Sequence, residues 1–130
     1  MSKQDMDKIL YKNEEYELAS EPLFLFLDKK GINFNAPRTN CDRGYYGKWE
    51  VKDNKLYLID FKGYKSYEEI VKIEYLFPNE TEVFASWFTG AFRICAGDAL
   101  RLVHYGYDSR FTIEIGLRFE NGVLVEDVLL

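Results

Sequence analysis

The chain of 130 residues is 47% hydrophobic and 17% aromatic and carries a formal net charge of −5. Burial of this apolar content offsets the conformational entropy lost on folding, which excludes a disordered protein. The length predicts a single domain over residues 1–130. Residues 1–65 hold 12 Lys or Arg against 11 Asp or Glu, whereas residues 66–130 hold 5 against 11. This acidic second half argues against a nucleic-acid partner, because phosphate binding needs clustered Lys and Arg.

The N-terminal segment lacks the apolar run of a signal peptide, and the longest apolar stretch, residues 22–27, is too short to cross a membrane. We therefore expect a flexible N-terminus over residues 1–7 and a cytoplasmic protein without a membrane partner. Cys41 and Cys95 form no metal or redox motif and are expected to be free thiols, with a disulfide between them as the alternative.

Residues 9–11 and 16–18 flank a polar turn and predict a first hairpin. Residues 21–30 fit a helix or a strand. A helix is favoured by a capping Ser20 and by Gly31 after two lysines, and the apolar run fits a strand nearly as well. The buried face of that helix would consist of Leu23, Phe24, Phe26 and Leu27.

Residues 45–51 and 55–61 predict a second hairpin around Asp53 and Asn54. The Ser-x-x-Glu pattern that begins at Ser66 is typical of a capped helix start and predicts a short helix over residues 66–73.

The rest of the chain predicts strands and short turns. Strands are expected over residues 83–88, 91–94, 100–105, 111–119 and 123–128. A turn is expected at residues 96–98, and Asn121-Gly122 predicts a type I′ hairpin turn. Alternation in residues 111–119 places Glu114 and Glu120 on the solvent side. The absence of long helices between strands argues against a parallel sheet. We predict a mainly β (α+β) fold with a single antiparallel, strongly curved or barrel-like sheet and one or two short helices.

No catalytic, metal or cofactor motif is present, so no cofactor and no metal are expected. His104 is the only histidine, and any His-dependent enzyme would have to use it with Cys41 or an acidic residue. A hydrogen-bonded histidine packed among tyrosines is the more typical interpretation. An enzyme is therefore the third and weakest of three functional hypotheses.

A small-molecule-binding barrel is the second hypothesis, since curved sheets of this size enclose small ligands. Its pocket would be lined by Arg43, Trp49, Trp87, His104 and Tyr105. Each has a structural alternative, because tryptophans are common core anchors and a guanidinium stacks on aromatic rings to hold a loop.

The first hypothesis is a protein-binding domain, most plausibly an immunity protein or antitoxin that neutralises a basic partner. Aromatic residues beside acidic ones favour protein contacts and attract a basic surface. The expected contact residues are Tyr107, Asp108, Glu114, Glu120, Glu126 and Asp127. A homodimer through an uncovered strand edge is left open.

Two blocks resemble a group of small bacterial cytosolic proteins of unassigned activity. The first block is Cys-x-Arg-Gly-Tyr…Trp-Glu-Val from Cys41, and the second is Trp-Phe-Thr-Gly-x-Phe-Arg-Ile…His-Tyr-Gly-Tyr-x-Ser from Trp87. The resemblance implies a compact, mainly β cytosolic domain and supplies no catalytic residue.

Overall fold

The computed structural model describes residues 5–35, 43–66, 68–101 and 110–130. The elements are β1 (Asp7–Tyr11), β2 (Glu14–Leu18), α1 (Phe24–Lys30), β3 (Tyr45–Lys52), β4 (Lys55–Tyr64), β5 (Ile70–Lys72), α2 (Ile73–Leu76), β6 (Val83–Phe84), β7 (Gly90–Arg101), β8 (Arg110–Glu120) and β9 (Val123–Leu129).

Seven strands form a mixed β-barrel in the order β3-β1-β2-β7-β8-β9-β4, and β4 also pairs with β3, which completes the ring. The two extra strands, β5 and β6, both pair with β4. The mainly β, barrel-like fold with two short helices is confirmed. One pairing departs from the antiparallel pattern: β1 runs parallel to β3, and β2 and α1 lie between these two strands in the sequence.

The barrel closes through a narrow contact between β9 and β4. Their register contains a single pair, Lys55 with Val123. Two backbone hydrogen bonds flank it, from Leu56 N to Gly122 O at 2.9 Å and from Leu124 N to Asn54 O at 2.7 Å. Beyond Leu124, β9 continues along β8 to its end. The barrel therefore closes near the β8–β9 turn and opens along the rest of β9.

Three tight turns position the strand ends. Asn121 and Gly122 have φ values of 51° and 81°, which confirms the predicted turn with positive φ at both central positions. The first two hairpins are also confirmed, and residues 12–13 and 53–54 turn them with positive φ values. Gly122 is required for packing as well, because a Cβ there would lie 2.5 Å from the Ala85 carbonyl oxygen.

Of the helix and strand alternatives for residues 21–30, the helix forms, over Phe24–Lys30, and part of its predicted detail is wrong. Gly31 ends α1 with a φ of 69°, as predicted. Ser20 does not cap the helix; Leu23 occupies the N-cap without a side-chain hydrogen bond. Leu27 is buried, but Phe24 is 54% exposed because it lies on the outer side of this short helix.

The helix predicted over residues 66–73 is wrong. The Ser66 hydroxyl oxygen does accept a hydrogen bond from the Glu69 amide at 3.1 Å. However, the Lys65 amide also donates to the Glu69 carbonyl, which closes a turn that leads into β5. The residues that would have continued a helix form β5 and pair with β4 instead. The helix α2 therefore starts only at Ile73.

Three further boundaries differ from prediction. Only residues 83–84 of the 83–88 segment form a strand. The turn expected at residues 96–98 is a register shift within a continuous β7, where Gly97 has a φ of 83°. The expected strand over residues 100–105 lies mostly outside the described residues. The N-terminus predicted to be flexible through residue 7 is buried at Met6, and β1 begins at Asp7.

Large apolar side chains fill the barrel interior. Trp49, Phe61 and Phe119 are almost fully buried, together with several Leu and Ile side chains of the surrounding strands. Phe119 packs against Phe92 with ring centroids 5.2 Å apart. The interior is therefore a packed core that holds the strands in place, and the accessible features lie at the barrel's ends and rim.

Candidate functional site

The carboxylate of Asp7, the first residue of β1, is buried among donors from the segment that begins β3. One oxygen accepts hydrogen bonds from the Gly47 amide at 2.9 Å and from the Arg43 guanidinium. The other oxygen accepts from the Trp49 indole N–H at 3.3 Å. Only 3% of Asp7 is exposed. This carboxylate joins β1 to β3 at the barrel's one parallel pair.

Arg43 is held on several sides. It donates to the Asp5 carbonyl at 2.8 Å, and its guanidinium carbon lies 5.4 Å from the ring centroids of both Tyr45 and Tyr46. Stacking of this kind stabilises a guanidinium and fixes its plane. The contacts match the loop-holding role that the sequence offered as the alternative to ligand binding by Arg43.

Burial raises the pKa of the Asp7 carboxyl above its usual value of 3.8. The positive charge of Arg43 and the hydrogen bonds from Gly47, Trp49 and Arg43 act in the opposite direction and are outweighed. Consequently, the unfolded chain loses this proton at a lower pH than the native protein does. The contribution of Asp7 to stability is full below about pH 4 and declines as pH rises through the native pKa.

The five residues predicted to line a ligand pocket are not joined into one site by the described contacts. Arg43 and Trp49 share Asp7. Trp87 instead donates to the Pro22 carbonyl at 2.8 Å and stacks on Phe77 with centroids 5.8 Å apart. His104 and Tyr105 lie outside the described residues.

Glu114 is buried, which corrects its predicted solvent-facing position and its place on a partner-binding surface. Only 3% of it is exposed, and its carboxylate accepts from the Phe111 amide at 2.8 Å and lies 3.4 Å from the Arg93 guanidinium. Both partners contact the same carboxylate oxygen, Oε2, and the Arg93 charge offsets that of the carboxylate away from water. The neighbouring Ile113 is 45% exposed, so the predicted alternation is reversed at this end of β8.

Glu114 lies opposite Cys95 in the β7–β8 register. Cys95 is a buried free thiol, and burial raises its pKa, which keeps it protonated and unreactive. Cys41 lies outside the described residues. The described part of this region supplies no activated nucleophile.

Three predicted contact residues are exposed on β8 and β9: Glu120, Glu126 and Asp127. Arg118 lies between the first two, 3.2 Å from Glu120 and 3.5 Å from Glu126. Asp127 accepts a hydrogen bond from the Tyr11 hydroxyl at 2.6 Å. The remaining two predicted contact residues, Tyr107 and Asp108, lie outside the described residues.

An open cavity of about 530 Å³ lies where β9 diverges from β4. We call this cavity the β9 groove. It is lined by Tyr11, Lys12, Val51, Asp53, Asn54, Leu124, Val125, Glu126 and Asp127. Three of its four ionisable charges are acidic, and only Lys12 is basic. The groove therefore favours cationic groups over anionic ones.

Sequence reasoning identified Glu126 and Asp127 but missed Tyr11, Lys12 and Asp53. The last two belong to predicted hairpins and their turns, so the local signal was present. The sequence did not indicate that the two hairpins and β9 meet at one end of the barrel. That meeting depends on pairings between segments far apart in sequence.

The described residues contain no group of three or more His, Cys, Asp or Glu that could hold a metal ion. Within the same residues no helix has the length and apolarity needed to cross a membrane. No family model, curated protein or solved structure matches the chain. The resemblance to small bacterial proteins stays a prediction.

We predict that Asp7→Ala destabilises the protein by roughly 3–5 kcal/mol, because it leaves the Gly47, Trp49 and Arg43 donors buried without their acceptor. Asp7→Asn should cost less and should remove the decline in stability as pH rises above about 4. Urea unfolding across this range measures both effects. Glu17→Ala, which removes a partly exposed ion pair with Lys8, is the control and should cost about 1 kcal/mol or less. Equal losses for Asp7→Ala and Glu17→Ala would contradict the assignment.

Burial and the hydrogen bond to Asp127 raise the pKa of Tyr11 to about 12 from an ordinary 10.0. The stability that this hydroxyl contributes is full below about pH 10 and is lost as pH rises towards 12, since the unfolded chain ionises first. We predict that Tyr11→Phe reduces the alkaline loss of stability. Urea unfolding at increasing pH measures it, and Tyr16→Phe is the matched control. Burial and Glu14 raise the pKa of Tyr16 as well, but its hydroxyl makes only a 3.4 Å exposed contact with Glu14, so the control should show a smaller effect and an equal one would refute the prediction.

Proposed function

We propose that this protein is a binding domain that neutralises a basic protein partner, in the manner of an immunity protein or antitoxin. The observation that carries the proposal is the exposed acidic and apolar strand β9 beside the β9 groove. Glu126 and Asp127 lie next to Val125, Val128 and Leu129 on this strand, and Leu129 is 79% exposed.

The combination suits a protein partner better than a small solute. Exposed apolar side chains contribute to affinity when they are covered, and carboxylates at their edge steer a basic surface into place. Glu120 extends the acidic character onto β8, and Glu126 lies opposite Arg118 in the neighbouring strand. Since Arg118 is shared by two carboxylates, the cluster keeps an excess negative charge.

The acidic second half of the chain supports the same partner chemistry. Residues 66–130 contain 11 Asp or Glu against 5 Lys or Arg, and a field of this sign accelerates encounter with a basic protein at low ionic strength. The proposal retains the cytoplasmic location and the family resemblance expected from the sequence.

The test is retention of a basic protein from a lysate of the source organism by the tagged wild-type chain and by charge-reversal variants. We expect Glu120→Lys combined with Glu126→Lys to weaken binding by at least roughly tenfold, because like charges facing each other cost several kcal/mol. Binding should also weaken as salt is raised.

Glu74→Lys combined with Glu80→Lys makes the same change in net charge at exposed positions away from β8 and β9. This control should bind as the wild type does. Equal loss in both double variants would mean that only net charge matters. Retention of no basic protein by the wild type would overturn the proposed function.

A further inference from the structure

The outer edge of β9 is open for strand pairing. Among the residues that the structure describes, the β4 side of β9 is paired only at Val123 and Leu124. On the other side β9 pairs with β8 as far as Leu129. The segment from residue 125 to 129 is therefore an edge strand along one side.

The ladder with β8 identifies which backbone groups face this edge. Leu130 N donates to Glu114 O of β8 at 2.9 Å, so Leu130 and Glu114 form a hydrogen-bonded pair of the ladder. Because hydrogen-bonded and non-hydrogen-bonded pairs alternate in an antiparallel ladder, Val128 and Glu126 also bond to β8. The N–H and C=O groups of Asp127 and Leu129 then point away from it, towards the open edge.

The side chains beside this edge distinguish one kind of strand from another. Asp127 lies opposite Leu117 and Leu129 opposite Ile115, so both side chains share the barrel-facing side of the sheet. That side is continuous with the β9 groove, where Asp53 and Asp127 supply negative charge and Lys12, 3.6 Å from Asp127, offsets part of it. A strand added here would meet carboxylates near Asp127 and an apolar surface near Leu129.

We propose that β9 accepts an extended segment of the basic partner as an additional strand of the sheet. The segment would carry a Lys or Arg on the groove side near Asp127 and an apolar residue two positions away near Leu129. Main-chain hydrogen bonds to Asp127 and Leu129 would supply affinity, and the alternating side chains would supply specificity. This inference rests on the proposed function and specifies how its partner binds.

A second copy of the chain is the less favoured occupant of the same edge. Two β9 strands paired side by side would bring the Glu126 and Asp127 carboxylates of both copies close together, and like charges across a strand pair are destabilising. The net charge of −5 acts in the same direction. The carboxylates that repel another copy would pair with a lysine-bearing strand.

The experiment is an NMR titration of the full chain with a synthetic peptide in which Lys-x-Val-x repeats along an extended segment, so that every Lys and Val lies on one face. The control peptide carries Glu in place of Lys. We expect the basic peptide to bind, the acidic peptide not to bind, and the amides of Asp127 and Leu129 to become protected from hydrogen exchange.

Two variants at one position test the backbone role. Leu129→Pro removes the outward N–H while leaving the hydrogen bonds to β8, and Leu129→Ala keeps that N–H and shortens the side chain. Loss of one hydrogen bond should weaken peptide binding by roughly two- to tenfold in the proline variant relative to the alanine variant.

Equal binding by Leu129→Pro and Leu129→Ala, or binding without protection of Asp127 and Leu129, would overturn strand addition. Absence of any binding by the basic peptide would also overturn it. None of these results would contradict retention of a basic protein through Glu120 and Glu126. The proposed function is therefore overturned only by the lysate retention test. Formation of a dimer that occupies the edge in the free chain would show that a second copy is the occupant.

Discussion

The buried Asp7 carboxylate is the constraint on which the rest of the barrel depends. Its two oxygens accept from Gly47, Trp49 and Arg43, and these contacts fix β1 beside β3 in the one parallel pairing. A carboxylate taken out of water is costly unless donors surround it, so β1 is favoured in this register and disfavoured in others. With β1 set, the turn at residues 12–13 places Tyr11 and Lys12 beside β9.

That placement explains why the open side of the barrel has a defined shape. Tyr11 is a core residue whose ring packs inside while its hydroxyl donates to Asp127. The bond holds β9 near the first hairpin without pairing their backbones. As a result, the groove and the edge of β9 are kept together, with acidic side chains on both. The proposed binding of a basic segment uses both features.

Local sequence signals predicted the local structure well. Asn121-Gly122 and Gly31 specify positive φ directly, so the last hairpin and the end of α1 were predictable. The helix predicted from Ser66 was wrong, because a capping hydrogen bond forms in a turn as readily as in a helix. The pairing of β5 with β4 determines which of the two forms. The solvent-facing position predicted for Glu114 was wrong, because its burial depends on Arg93 in the neighbouring strand. The partners of Asp7 were unreadable for the same reason: they lie some 40 residues away along the chain.

The barrel closes at the β8–β9 turn and leaves the rest of β9 with one unpaired edge. Amide hydrogen exchange of the free protein along residues 126–129 tests it most directly, since exchange reports backbone hydrogen bonds residue by residue. We expect alternation, with slow exchange at Glu126 and Val128 and fast exchange at Asp127 and Leu129. Uniformly slow exchange at all four amides would mean that the edge is already covered and would rule out the open edge.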